Sequence, residues 1–308
     1  MVHPRIGLAL GSGSARGWSH IGVIEALREA GIEPDIVCGS SIGALVGAAY
    51  VAGRFEALKT WAEAATWREI VSLLDVRFSG GGLIAGSRIL AFLRDLDIAA
   101  PIESYGKPYA AIATDLASGR EIWLRSGPID EAVRASMAMP GVVSPARIGG
   151  AWLLDGGLVN PVPVSTCRAL GADIIIAVNL NGDLLGRRFA ADAPSATAEK
   201  ASAPPSGVLG QILEQMPAGI RQQASLLVEK LLRPGPDTPA YFDVLANAIN
   251  IMQDQITRTR LAGDPPHVLL LPRLRDIGLM EFHRAREAIA EGRACVEQAL
   301  PALLRYRQ

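Results

Sequence analysis

The chain is poor in several things that would narrow its function. Cysteine is scarce: Cys38, Cys167 and Cys295 stand far apart, with no C-x-x-C or Cys/His cluster spacing. Neither a disulfide framework nor a zinc site is therefore expected, and the compartment reads as reducing. An excess of one charge is also missing. Thirty basic residues face 31 acidic ones for a net charge of −1, so no global field argues for nucleic acid or for an anionic membrane. Long apolar runs are few. Ile36 to Gly53 is uncharged over 18 residues, the length of a membrane span, but Gly39, Ser40, Ser41, Gly43, Gly47 and Gly53 leave it too weakly apolar to be read as one. The N-terminal run Ile6 to Leu10 is too short for the core of a signal peptide, and a cytoplasmic location is expected. With 49% hydrophobic and 20% charged residues, the chain can bury a large core.

Within that uncharged run, a short apolar stretch leads into Gly39-Ser40-Ser41-Ile42-Gly43 and then into a helix-like segment of small residues. A G-x-S-x-G between strand and helix is the sequence form of a nucleophile elbow, in which a sharp turn exposes one serine hydroxyl. That serine is Ser41. Gly39 and Gly43 are expected because the backbone approaches itself closely there, or needs positive φ. Ala44, Gly47, Ala48 and Ala49 allow the following helix to pack tightly.

The rest alternates strands and helices. Ile6 to Leu10 reads as a buried strand, followed by the Gly-rich loop Gly11 to Gly17 and a helix from Trp18 to Ala30 stopped by Gly31. Such a loop suits a phosphate or an oxyanion. A dinucleotide would want an acidic residue at the end of the second strand, but Asp35 precedes that strand and the elbow occupies its end. Amphipathic helices follow at Arg54 to Ala65 and Ser87 to Leu96, with a loop at 79–82 between them. Strands come at Tyr109 to Thr114 and Glu121 to Leu124, then a helix from Pro128 to Met139. Trp152 to Leu154 is a short strand running into Asp155-Gly156-Gly157. A helix at Val164 to Leu170 and a strand at Asp173 to Leu180 complete a mostly parallel sheet covered on both faces. Residues 183–206 are rich in Ala, Ser and Pro and read as a flexible linker or loop. Helical stripes within 208–232 read as a packed cover rather than a lid. Beyond them a helix is expected at Tyr241 to Leu261, a late strand at His267 to Leu271 and a helix at Leu279 to Leu304. The expected organisation is a core over 1–182, the linker, and a mostly helical region over 207–308.

Four motifs in order, over about residues 6 to 180, make the chain resemble the patatin-like phospholipases, in particular the bacterial branch similar to the catalytic domain of neuropathy target esterase. They are Gly11 to Gly17 with Arg16 in the family's basic position, the elbow Gly39 to Gly43, the block Ala135-Ser136-Met137-Ala138-Met139-Pro140 with Pro145, and Asp155-Gly156-Gly157. The resemblance implies a three-layer α/β/α fold and a Ser/Asp dyad without a catalytic histidine. Carried over by position, Ser41 is the nucleophile and Asp155 the base. The backbone around Gly11, Gly13 and Ser14 forms the oxyanion hole, with Arg16 and Gly17 supporting the loop. One departure stands out: Ser12 and Ser14 alternate with Gly11 and Gly13 where the family more usually has a run of glycines.

The chemistry is consistent with that resemblance. Attack by a serine hydroxyl on an ester needs a nearby carboxylate made more basic by poor solvation, and donors already in place for the oxyanion, each contributing about 3 kcal/mol. No metal and no cofactor is called for. The implied substrate is a lipid ester, phospholipid or lysophospholipid by resemblance, with transient contact at a membrane surface and no nucleic acid; the sequence carries no signature of an oligomeric state. A Ser/Asp/His triad would have to use His267 or His283, since His3 and His20 precede the serine. His267 borders a Pro-Pro loop and His283 lies in a polar stretch, so both are expected to be surface residues. The contrasting class is a non-enzymatic regulatory or adaptor protein retaining the fold.

Overall fold

Strand β1 (Ile6–Leu10) has every residue buried, as do β2 (Ile36–Ser40) and β7 (Ile174–Val178). Continuous burial is what a strand covered on both faces requires. The computed structural model describes residues 3–73, 75, 84–182 and 241–306. Within it these strands form the centre of a mixed sheet of order β5-β6-β3-β2-β1-β7-β8, with β3 at Tyr109–Asp115, β5 at Ala146–Ile148, β6 at Ala151–Asp155 and β8 at Val268–Leu270. Pairings from β3 through β2, β1 and β7 to β8 are parallel; β4 (Glu121–Leu124), β5 and β6 add antiparallel ones.

The register around β3 positions the site. Ile112 pairs with both Ser40 of β2 and Trp123 of β4, so β2 and β4 lie on opposite edges of β3. Ala113 pairs with both Ile122 of β4 and Asp155 of β6, which places β6 opposite β4 as well. Strands β2 and β6 therefore occupy the same edge of β3 in succession. Running antiparallel, β6 ends where β2 ends.

Alternate residues of the central strands feed two cores. Leu8, Leu10, Val37, Ile176 and Val178 join the larger cluster, with α1 (Ser19–Glu29) and α2 (Ile42–Val51). Ala9, Ile36, Cys38, Ile175 and Ala177 face α7 (Val164–Ala169) on the other side. The result is the expected three-layer α/β/α arrangement. The late helix α9 (Ala285–Leu303) belongs to it: a Cβ at Gly22 of α1 would lie 1.9 Å from Ile289 O, and one at Gly292 of α9 1.9 Å from Ser19 O. Only glycines allow those backbones to approach so closely. The chain divides into two compact units, one of Met1–Leu185 with Met252–Gln308 and one of Gly186–Ile251; the site lies in the first.

Several elements differ from the sequence reading. Part of the Gly-rich loop winds into a 3-10 turn, Ser14–Trp18, before α1 begins. Helix α6 (Ile129–Ser136) stops three residues short of Met139, and a 3-10 turn at Phe282–Arg284 precedes α9. Helices α3 (Phe55–Ala64), α5 (Ser87–Asp95) and α8 (Tyr241–Gly263) fall where expected. Two elements are additions to the sequence reading. Helix α4 (Trp67–Ser72) is launched by a capping box in which Thr66 accepts from the Glu69 N–H and Glu69 accepts from the Thr66 N–H. Strand β5 joins β6 through Gly149-Gly150, both at positive φ (58° and 88°), the requirement of a two-residue hairpin turn. The loop at 79–82, the linker at 183–206 and the stripes within 208–232 lie outside the described residues.

Candidate active site

Ser41 follows β2 directly and caps α2, with φ 55° and ψ −122° and 6% exposure. For a residue with a Cβ this backbone is strained, and strain of this kind persists only where the surroundings impose it. The surroundings here are identifiable. A Cβ at Gly39 would lie 2.4 Å from Ala44 N, and one at Gly43 2.2 Å from Leu10 O. Neither glycine has positive φ, so both are required for close approach, and the unusual backbone falls on the serine itself. The Ser41 N–H donates to Ser136 Oγ at 2.9 Å, while its carbonyl accepts from Ala44 and Leu45 at the start of α2.

Asp155 is delivered by β6. Ser41 Oγ donates to Asp155 Oδ2 at 2.6 Å, and the Gly157 N–H donates to Oδ1 at 2.7 Å. The Asp155 N–H is held by Ala138 O at 2.9 Å, and its carbonyl accepts from Thr114 Oγ1 at 2.8 Å. The side chain is 1% exposed. Burial raises its pKa from 3.8 to about 6, against the pull of the Ser41 and Gly157 hydrogen bonds. A carboxylate so placed is more basic than one in water.

The Gly-rich loop lies against both residues. A Cβ at Gly17 would lie 2.1 Å from the Ile42 side chain, and one at Gly157 would lie 2.8 Å from Ser12 Oγ and 3.0 Å from Asp155 Oδ1. The loop amides are not equivalent. Gly11 N–H is bonded to Val178 O and Ser12 N–H to Pro161 O, whereas those of Gly13 and Ser14 have no acceptor among the described residues. Gly11 is therefore engaged in the sheet, leaving Gly13 and Ser14 as free donors. Ser14 sits at φ 53°, so one of the serines replacing the family's glycines occupies a left-handed position. We predict that Ser14→Gly raises stability by about 0.5–1 kcal/mol, read as a higher denaturation midpoint; an unchanged or lower midpoint would show that the loop carries no such strain.

Buried polar groups tie the loop to the late part of the chain. Arg16 donates Nε to Ile277 O at 2.9 Å and Nη1 to Asn181 Oδ1 at 3.4 Å. Ser12 Oγ and Asn181 Nδ2 both donate to Gln253 Oε1, at 2.8 and 3.2 Å. His20 Nε2 lies 2.8 Å from Gly11 O, and burial lowers the pKa of its ring to about 4. The imidazole is thus neutral and donates to that carbonyl. The other histidines raised by the sequence are engaged elsewhere: His267 Nδ1 accepts from the Ile175 N–H at 3.0 Å, and His283 packs edge-on against Trp67. The contributions of Ser136, Ala138, Gln253 and Asn181 go beyond the sequence reading. For the first two the motif block is a signal, but its purpose is not readable without the fold.

The α/β/α sheet thus brings together a strained serine, a buried carboxylate and two backbone donors that have no acceptor among the described residues. Residues 8–168 match the family model described as Patatin-like phospholipase. An uncharacterized NTE family protein of Mycobacterium tuberculosis (strain ATCC 25618 / H37Rv) is 38% identical over 335 residues, covering 97% of this chain and 92% of that one. Patatin-like phospholipase domain-containing protein 6 of Homo sapiens is 34% identical over 182 residues, 57% of this chain but 13% of that much longer protein. The crystal structure of VipD from Legionella pneumophila aligns over 97% of this chain and 67% of that one, with TM-score 0.45 and 13% identity. The chain belongs to the patatin-like phospholipase family. No described helix is long and apolar enough to cross a membrane.

Proposed function

We propose that this protein is a serine acyl-hydrolase of lipid carboxylic esters, phospholipid or lysophospholipid, working through Ser41 and Asp155. The observation that carries the reading is the 2.6 Å contact between Ser41 Oγ and the buried Asp155 Oδ2, with the carboxyl pKa raised to about 6. Ser41 Oγ attacks the ester carbonyl carbon as its proton passes to Asp155. The carbonyl oxygen becomes an oxyanion, met by the N–H groups of Gly13 and Ser14 and by those of Ile42 and Gly43 at the start of α2, which have no acceptor among the described residues. Collapse breaks the ester C–O bond, and the leaving alcohol takes the proton from Asp155. Water then attacks the acyl-serine, giving its proton to Asp155; collapse releases the fatty acid and restores the serine hydroxyl. Gly39 and Gly43 set the elbow, and Arg16 and Gly17 hold the donor loop in register.

Fluorophosphonate labelling and turnover on a panel of phospholipids and lysophospholipids test this. We expect Ser41 to be the labelled residue, Ser41→Ala to abolish both labelling and turnover, and His267→Ala and His283→Ala to leave hydrolysis largely intact. A native protein that does not label would shift the reading to a non-enzymatic protein with this fold. A loss of several orders of magnitude on removing either histidine would overturn the dyad.

A further inference from the structure

The sheet corner that delivers Asp155 is covered on one face and exposed on the outer part of the other. Ala113, Ile122, Leu124, Ala146, Ile148, Ala151 and Leu153 pack with Ala135 of α6. Alternate residues of a strand point to opposite faces and paired residues to the same one. The pairs Ile112 with Trp123 and Arg147 with Trp152, together with the Leu116 N–H donating to Trp152 O at 2.8 Å, place Leu116, Trp123, Arg147 and Trp152 on the other face. Arg125, two residues beyond Trp123, continues that row. Leu116 and Trp152 are each 50% exposed and Trp123 37%, and both arginines are exposed.

The electrostatics of this face are one-sided. The Arg147 guanidinium lies 5.7 Å from the centre of the Trp152 ring, and neither Arg125 nor Arg147 has a carboxylate partner among the described residues. Glu121, the acidic residue these strands place on the same face, is already held by Arg260 at 2.8 Å, Trp123 Nε1 at 2.7 Å and Asn160 Nδ2 at 2.7 Å. What remains exposed is indole and leucine flanked by two guanidinium groups without a carboxylate partner among the described residues. Tryptophan and arginine partition to the boundary between lipid headgroups and acyl chains, because each joins an apolar body to a polar tip. With a net charge of −1 the chain has no long-range attraction to a membrane, so approach depends on a local patch. Trp152 lies three residues before Asp155, about 10 Å along the same strand, with its side chain on the opposite face of the sheet.

We infer that this face docks on the surface of an anionic phospholipid bilayer. Trp152, Trp123 and Leu116 enter the headgroup boundary, and Arg125 and Arg147 meet lipid phosphates. The inference rests on the lipid-ester reading, since docking holds the protein at the surface that carries its substrate.

Co-sedimentation of the full chain with phosphatidylcholine vesicles, with and without phosphatidylglycerol, tests it, alongside labelling by a water-soluble fluorophosphonate. We expect tighter binding to the anionic vesicles, weakened by added salt. Arg147→Glu combined with Trp152→Ser should lose about tenfold or more in vesicle affinity while labelling at the native rate. Trp152→Ser alone, at a half-exposed position, is the milder variant should the pair disturb folding, and it should also bind vesicles more weakly. Native protein that ignores anionic vesicles, or variants that bind them as well as native, would overturn the docking. A concentration-dependent dimer dissolved by the same substitutions would also overturn it, reassigning the face to a second copy. Absent labelling of the native protein would instead sink the hydrolase reading, leaving the vesicle result to stand separately.

Discussion

Asp155→Asn is expected to lower ester hydrolysis by on the order of 10³-fold while making the protein more stable near neutral pH. The amide fits the same space: its oxygen can accept from the Gly157 N–H as Asp155 Oδ1 does at 2.7 Å, and its NH₂ can donate to Ser41 Oγ. It cannot take the serine proton. The stability gain follows from the sign of the pKa shift. Burial raises Asp155 from 3.8 to about 6, so the fold favours the protonated acid. That stabilising contribution is fully present below the unfolded pKa and is lost as pH rises through about 6, above which an ionised, desolvated carboxylate must be held. Two pKa units correspond to about 3 kcal/mol, the upper end of the gain expected for Asn at pH 7–8. Activity runs the opposite way, since only the ionised carboxylate accepts a proton. Native turnover should therefore fall as pH drops through about 6. Denaturant melts and pH–rate profiles of the two proteins check both halves. A variant that stays active would show that Asp155 is not the base, and one that loses stability at pH 8 would show that the buried carboxylate is not held at a cost.

Gly43→Ala should cost about 3 kcal/mol or more, or abolish activity in whatever protein still folds. The added Cβ would lie 2.2 Å from Leu10 O, 2.7 Å from Leu10 C and 2.8 Å from Gly11 O. All three atoms are backbone, at the junction of β1 with the donor loop, so no side chain can turn aside to relieve the clash. Relief has to come from moving the elbow or the loop, and either would separate Ser41 from Gly13 and Ser14. Gly106→Ala is the control, because a Cβ there meets nothing within 4 Å and the backbone is not left-handed. Its melting curve should match the native one, and a Gly43→Ala curve that also matched would mean that the junction is far softer than its distances indicate.

The parts legible in the sequence are those written in local patterns. Unbroken apolar stretches mark β1, β2 and β7, and the spacing of Gly39, Ser41 and Gly43 marks the elbow. The steric role of those glycines is readable, but which residue carries the positive φ is not. It falls on Ser41 and Ser14 because long-range contacts clamp the turns, and no window of sequence records such clamps. Strand β5 escapes detection because three residues with one apolar pair give too short an alternation. Thr66 and Glu69 do carry a local capping signal, and α4 could have been found from it. Gln253 is hidden for another reason: a polar residue on a helix reads as a solvated face, and its burial against Ser12 and Asn181 depends on pairing across most of the chain. For Ser136 and Ala138, recurrence as a motif points to importance, whereas their hydrogen bonds to Ser41 and Asp155 are visible only in three dimensions.

Because β2 and β6 meet tip to tip along one side of β3, the spacing between hydroxyl and carboxylate is governed by the hydrogen-bonded ladder rather than by the reach of two flexible side chains. Segments between these strands can lengthen, shorten or acquire new modules without disturbing it. A slip of the Gly149-Gly150 hairpin by a single position, in contrast, would turn Asp155 to the opposite side of the sheet. Insertions elsewhere should thus be tolerated far better than one added residue in that small turn.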